Sequence, residues 1–87
     1  GIVGLTKAMA QDFAEFGIRV NCVSPGQIDT KRGTPQERRA PNPNIPLARE
    51  GTSFEIAGMV RSLAGPAGAY MTGQTIHING GLSNLGV

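Results

Sequence analysis

At 87 residues the chain is long enough for one small domain and too short for a large core. Its 39% apolar and 16% charged content is that of a soluble globular protein, and a net charge of +2 is too small to argue for nucleic acid or a membrane surface as partner. The single cysteine, Cys22, excludes an internal disulfide framework and a multi-cysteine metal site. With no 18-residue apolar run and no signal-peptide pattern, a reducing, cytoplasmic setting is the expectation.

The chain opens Gly1-Ile2-Val3-Gly4-Leu5, with no capping residue ahead of the apolar pattern, and so reads as a helix whose start lies elsewhere. Ile2, Leu5, Met9, Phe13 and Phe16 recur at spacings of three and four, which predicts one helical face packed into a core. Gly17 is suited to a left-handed stop. Ile18–Val23 then reads as a strand, apolar on both faces and therefore covered by helices on either side. Asn21 inside it must find hydrogen-bond partners and is expected to tie neighbouring loops together. Cys22 reads as a small buried thiol. Pro25 lacks an N–H for the ladder, and Gly26 lets another backbone or a ligand come close. Ligands of open α/β sheets bind outside the carboxyl ends of strands, so Pro25 to Thr30 is the expected ligand site.

Residues 31–51 show no periodicity, and Pro35, Pro41, Pro43 and Pro46 forbid long regular structure. A loop of this length suggests a lid or binding loop. Its Lys31, Arg32, Arg38 and Arg39 read either as a solvated basic surface or as an attraction for an anionic substrate such as a phosphate-bearing carrier. Thr52-Ser53-Phe54-Glu55 matches a capping box and predicts a second helix with Ile56, Met59, Val60 and Leu63 as its apolar stripe, stopped by Gly65-Pro66. Ala67–Thr72 reads as an irregular connection. Gln74–Asn79 alternates polar and apolar and predicts a strand ended by Gly80-Gly81. His77, with no Asp, Glu or Cys cluster in reach, reads as a satisfied strand residue rather than a base or metal ligand. Leu82–Val87 forms a tail, disordered or docked on a partner subunit.

The order helix, strand, long loop, helix, strand implies parallel strands joined by a right-handed crossover. Two strands are too few to stand alone, so the expected fold is one edge of a larger α/β sheet.

Three stretches resemble the short-chain dehydrogenase/reductases. Asn21-Cys22-Val23-Ser24-Pro25-Gly26-Gln27-Ile28-Asp29-Thr30 resembles their Asn-x-Val-x-Pro-Gly-x-Ile-x-Thr segment. Ile45-Pro46-Leu47-Ala48-Arg49-Glu50-Gly51 resembles Ile-Pro-Leu-x-Arg-x-Gly. Tyr70-Met71-Thr72-Gly73-Gln74-Thr75-Ile76-His77-Ile78-Asn79-Gly80-Gly81 resembles Tyr-x-Thr-Gly-Gln-x-Ile-x-Val-Asp/Asn-Gly-Gly. The matches fall in the family's order and cover nearly the whole chain, nearest by eye to the 3-oxoacyl-carrier-protein reductase-like branch. The resemblance implies the C-terminal part of a Rossmann-type doubly wound parallel sheet. Residues 1–87 would then be a segment of a single NAD(P)-binding domain, with 31–51 as its substrate loop.

It also implies NAD or NADP as cofactor and hydride transfer to or from a small carbonyl or alcohol substrate. Pro25 and Gly26 would lie beside the nicotinamide, the Ile28 backbone would hold the carboxamide, and the Thr30 hydroxyl would lie near carboxamide and pyrophosphate. Lys31 departs from the apolar or acidic residue of many relatives. The second helix and last strand commonly pack between subunits in the family, which implies a homotetramer. The family's catalytic Tyr-x-x-x-Lys and Ser have no counterpart here, because the one tyrosine, Tyr70, is followed four residues later by Gln74, and no glycine-rich phosphate turn occurs. Gly1 would fall just after the catalytic Lys. No catalytic residue and no metal ligand is therefore assigned within the chain. The alternatives are a truncated, non-catalytic fragment that keeps only a subunit-association surface, and an independent anion-binding module using Arg38 and Arg39.

Overall fold

Two strands, β1 (Cys22–Pro25) and β4 (Thr75–Ile78), lie parallel and in register, with Cys22 opposite Thr75, Val23 opposite Ile76, Ser24 opposite His77 and Pro25 opposite Ile78. The computed structural model describes residues 1–30 and 41–82. Its elements in chain order are α1 (Ile2–Phe13), a 3₁₀ turn (Ala14–Phe16), β1, β2 (Ile28–Asp29), β3 (Gly51–Thr52), α2 (Ser53–Ala64), a 3₁₀ turn (Pro66–Gly68) and β4. β2 and β3 form a second parallel pair, Ile28 opposite Gly51 and Asp29 opposite Thr52. Along β4, side chains alternate between faces. Thr75 and His77 share a cleft with Ile2 and Lys7 of α1, whereas Ile76 shares a hollow with Met59 and Leu63 of α2. One helix thus lies on each side of the pair, as expected of an α/β sheet, with an open cleft left between α1 and the strands.

The first strand lies further along the chain than the apolar run predicts. Ile18–Asn21 are outside it, and Ser24 and Pro25 are in it. The reason lies in side chains that stand in for the ladder. The Val20 N–H donates to Thr72 Oγ1 at 3.0 Å, and Asn21 takes the Gln74 N–H on Oδ1 (3.1 Å) while its Nδ2 donates to the Met71 carbonyl (3.0 Å). Asn21 therefore ties two segments together as expected. Regular pairing begins only at Cys22, whose N–H reaches Gln74 O at 2.8 Å. Pro25 is tolerated as the terminal residue of the strand, where a missing donor breaks no ladder.

The stripe on α1 is not core. Ile2, Leu5, Met9, Phe13 and Phe16 are all exposed, and the helix turns the small residues Thr6 and Ala10 inward. Periodicity identifies an apolar face but not whether a partner covers it, and a sheet this narrow covers only one side of the helix. Gly17 does adopt the left-handed conformation (φ 72°), with its N–H on Ala14 O. Cys22 is half-buried rather than buried. α2 starts at its predicted cap and stops at Gly65, whose N–H bonds the Arg61 and Ser62 carbonyls. Leu63 is buried and Ile56 half-buried, but Met59 and Val60 are exposed.

The stretch predicted as an aperiodic loop carries β3 and folds back on itself. Pro41 bridges Arg49, the Asn42 N–H bonds Ala48 O, and the Leu47 N–H bonds Gly80 O. Ile45, at 3% exposure, is among the most buried side chains described. The expectations for Lys31, Arg32, Arg38 and Arg39, and for most of the tail beyond Leu82, lie outside the described residues.

Candidate functional site at the carboxyl end of the strands

The chain leaves β1 at Pro25, which is exposed, and passes through Gly26 and Gln27 into β2. Gly26 is needed for backbone proximity. A Cβ there would lie 2.8 Å from Asn79 Cβ and 2.9 Å from Asn79 Cα, and the Gly26 N–H already donates to Ile78 O at 2.9 Å. Of the two roles open to this glycine, the structure uses it to bring two strand ends together. Gln27 accepts twice: its carbonyl from the Gly51 N–H (3.0 Å) and its side-chain Oε1 from Asn42 Nδ2 (2.9 Å). Ile28 is half-buried in β2, and Thr30 stands exposed at the end of the segment. Pro25 thus ends β1, Gly26 joins it to β2, Ile28 lies in β2, and the exposed Thr30 stands just beyond β2.

Behind Ile28 is a feature that was not read from the sequence. Arg49 grips Glu55 with both guanidinium nitrogens, Nη1 to Oε1 at 2.8 Å and Nη2 to Oε2 at 2.9 Å, and Nη1 also donates to Glu50 O at 3.1 Å. Glu55 Oε1 takes the Thr52 N–H at 3.0 Å, and the Glu55 N–H donates to Thr52 Oγ1 at 3.2 Å, completing the predicted capping box. The Arg49 hydrogen bonds outweigh burial and hold the Glu55 carboxyl down to about 2, and the same contact raises Arg49. Ile28, Leu47, Arg49, Glu55, Ile78 and Gly80 line a cavity of about 90 Å³ at this point. The available signal was Arg49 within the Ile-Pro-Leu-x-Arg-x-Gly stretch, six residues before the capping glutamate.

On the α1 side, Ile2, Lys7, Cys22, Ser24, Thr75 and His77 line a wider cleft of about 720 Å³. The nearest polar partner of the Cys22 thiol is its neighbour's carbonyl, Val23 O, at 3.9 Å. His77 is exposed on β4, and Tyr70 stands fully in solvent. No group of three or more metal-binding side chains occurs among the described residues. Among them, too, no helix is long and apolar enough to cross a membrane.

Against known proteins, the family described as Enoyl-(Acyl carrier protein) reductase matches residues 1–83. The 3-oxoacyl-acyl-carrier-protein reductase of Vibrio harveyi is 45% identical over 85 residues, covering 94% of this chain and 35% of the relative. A short-chain dehydrogenase/reductase variant of Serratia marcescens superposes with a TM-score of 0.78 at 39% identity, over 95% of this chain and 35% of that one. A blue fluorescent protein from a metagenomic library, solved in complex with NADPH, superposes with a TM-score of 0.79 at 36% identity, over 95% of this chain and 34% of that one. The chain therefore spans about a third of the length of the relatives it matches. On its sequence, its parallel strand pairing and these matches, the chain belongs to the short-chain dehydrogenase/reductases and is similar to the 3-oxoacyl-acyl-carrier-protein reductases among them.

Proposed function

We propose that this chain supplies the nicotinamide-side wall of an NAD(P)(H)-dependent oxidoreductase acting on a small carbonyl or alcohol. The observation that carries this reading is that β1 ends at Pro25, and that Gly26, packed against Asn79 at the end of β4, leads straight into β2 and on to Thr30. The chemistry of that segment fits a dinucleotide. A hydroxyl-bearing residue and peptide groups beyond a strand end suit a carboxamide or a phosphate. Pro25 and Gly26 would form the wall, the backbone at Ile28 would hold the carboxamide, and Thr30 would donate its hydroxyl. Gly26 contributes shape alone, since Ile78 takes its N–H. The bound cofactor supplies or accepts the hydride. Proton transfer falls to groups outside this chain, whose tyrosine is followed by Gln74 rather than by lysine in the fourth position.

The segment from 31 to 51 would flank the substrate. The whole chain would form one part of a single NAD(P)-binding domain in a cytoplasmic homotetramer. The exposed apolar faces of α1 and α2 support the association, and they also favour a second reading, in which the chain keeps only that association surface. Titration of the full-length polypeptide carrying this sequence with NADH and NADPH tests the proposal. The expected result is saturable binding of at least one nucleotide, weakened about tenfold by Thr30→Val, the order of one lost hydrogen bond to a charged or strongly polar group. Binding of neither nucleotide, with no turnover on a carbonyl panel, would leave only the association reading.

A further inference from the structure

We infer that Arg49 is a positioning residue: its two-pronged grip on Glu55 sets the register of β3 against β2, and so places the strand that carries Ile28 and leads to Thr30. The inference rests on the functional reading of that strand given above.

β2 and β3 contribute two residues each. So short a pair makes too few hydrogen bonds to offset the entropy of ordering its own backbone, and its register must be held from outside. Thr52 has two duties. It lies opposite Asp29 in the pair and is also the N-cap of α2. Its N–H is bound by Glu55 Oε1, the oxygen that Arg49 Nη1 reaches at 2.8 Å. Arg49 Nη1 also holds the Glu50 carbonyl. The guanidinium thus bridges the residue before β3 and the first turn of the helix after it, with Gly51 and Thr52 strapped between them. Gly51 in turn donates its N–H to Gln27 O, at the entry to β2. The Ile28 side chain meets this assembly directly, since a Cβ on Gly51 would lie 2.9 Å from Ile28 Cδ1. Arg49 is also tied to the loop before it through the bridge to Pro41.

The capping box needs Thr52 and Glu55 but not Arg49. Changing Arg49 therefore separates the strap from the cap. Lysine keeps the charge but cannot make two parallel bonds to a carboxylate.

The test compares Arg49→Lys and Arg49→Ala with the parent in the full-length polypeptide, well below the melting temperature of each. Two quantities are read: KM for NADH or NADPH against kcat, and hydrogen exchange at the Gly51 amide against amides in the middle of α2. The expected result for Arg49→Lys is a cofactor KM raised about tenfold with kcat within about twofold, the signature of lost positioning in binding rather than lost chemistry. Gly51 should lose protection while Met59 and Val60 keep theirs. A purely stabilising Arg49 would lower the melting temperature yet leave KM and the Gly51-to-α2 protection ratio unchanged, which would overturn the inference. If Arg49→Ala does not fold, Arg49→Lys alone decides. A parent protein that binds neither nucleotide overturns the functional reading, and the positioning role with it. Normal binding by the parent, with an unchanged KM in the variants, overturns the positioning role alone.

Discussion

Glu55 is a single carboxylate shared by a helix cap and an ion pair, and its titration follows from that. Its folded value of about 2 lies below the ordinary 4.5, so the stabilisation it contributes is fully present above about pH 4.5 and is lost as pH falls toward 2. A third of the side chain is exposed (34%), so solvent screening keeps the contribution to roughly 1 kcal/mol or less. Glu55→Gln keeps a cap acceptor but has no charge to lose. Urea midpoints followed across that window should therefore fall less steeply for the variant than for the parent, and parallel curves would show that Glu55 does not carry the acid sensitivity. Ala48, in the turn just before Arg49, holds a φ of 62°, a left-handed conformation that costs an alanine roughly 1 kcal/mol. Bonds from the Ala48 N–H to Ile45 O (2.6 Å) and from the Asn42 N–H to Ala48 O (3.0 Å) maintain it. The turn thus keeps its shape against its local preference, and that shape places Arg49.

The clearest packing constraint on an element is at the end of α2. Gly68 is buried where the 3₁₀ turn Pro66–Gly68 folds back on the helix, and a Cβ there would fall on the Leu63 carbonyl. The Gly68 backbone is held at both of its polar groups, its N–H donating to Gly65 O and its carbonyl accepting from the Met71 N–H, each at 3.0 Å. It cannot move away from Leu63 cheaply. Gly68→Ala is expected to lower stability by about 3 kcal/mol. Gly58→Ala, in the exposed middle of the same helix where a Cβ meets nothing, should raise it by up to about 1 kcal/mol. Thermal melts of the two variants with opposite signs would support the packing argument, and equal shifts would refute it.

For the molecule as a whole, the governing fact is how little apolar surface is covered. The described buried apolar residues are Ala10, Ile45 and Leu63, whereas Ile2 and Leu5 on α1 and Phe16 in the 3₁₀ turn after it are exposed by 67%, 58% and 68%. Phe54 and Val60 add exposed apolar surface on α2. Several large apolar side chains left exposed on one element mark surfaces that pack against other protein. The 87 residues produced alone should therefore bind a hydrophobic dye and self-associate at micromolar concentration. The double change Leu5→Glu with Phe16→Glu should reduce both, and a monomeric, dye-free parent would show the faces to be harmless as they stand.

The sequence by itself determined the features that depend on local chemistry. These were the two helices, the Thr52–Glu55 cap, the left-handed stop at Gly17, the second strand and the α/β class, together with the motifs that identify the family. Each follows from a few neighbouring residues, where backbone preference and side-chain spacing act without distant partners. Tertiary structure alone decided what depended on who meets whom. It moved β1 to Cys22–Pro25, because ahead of Cys22 the Thr72 hydroxyl takes the Val20 N–H and the Asn21 side chain takes the Gln74 N–H. It drew β2 and β3 together across a stretch with no periodic signal, and it placed Arg49 on Glu55. It also left the α1 stripe uncovered, because an apolar period states which residues avoid water and leaves open whether anything is present to shield them.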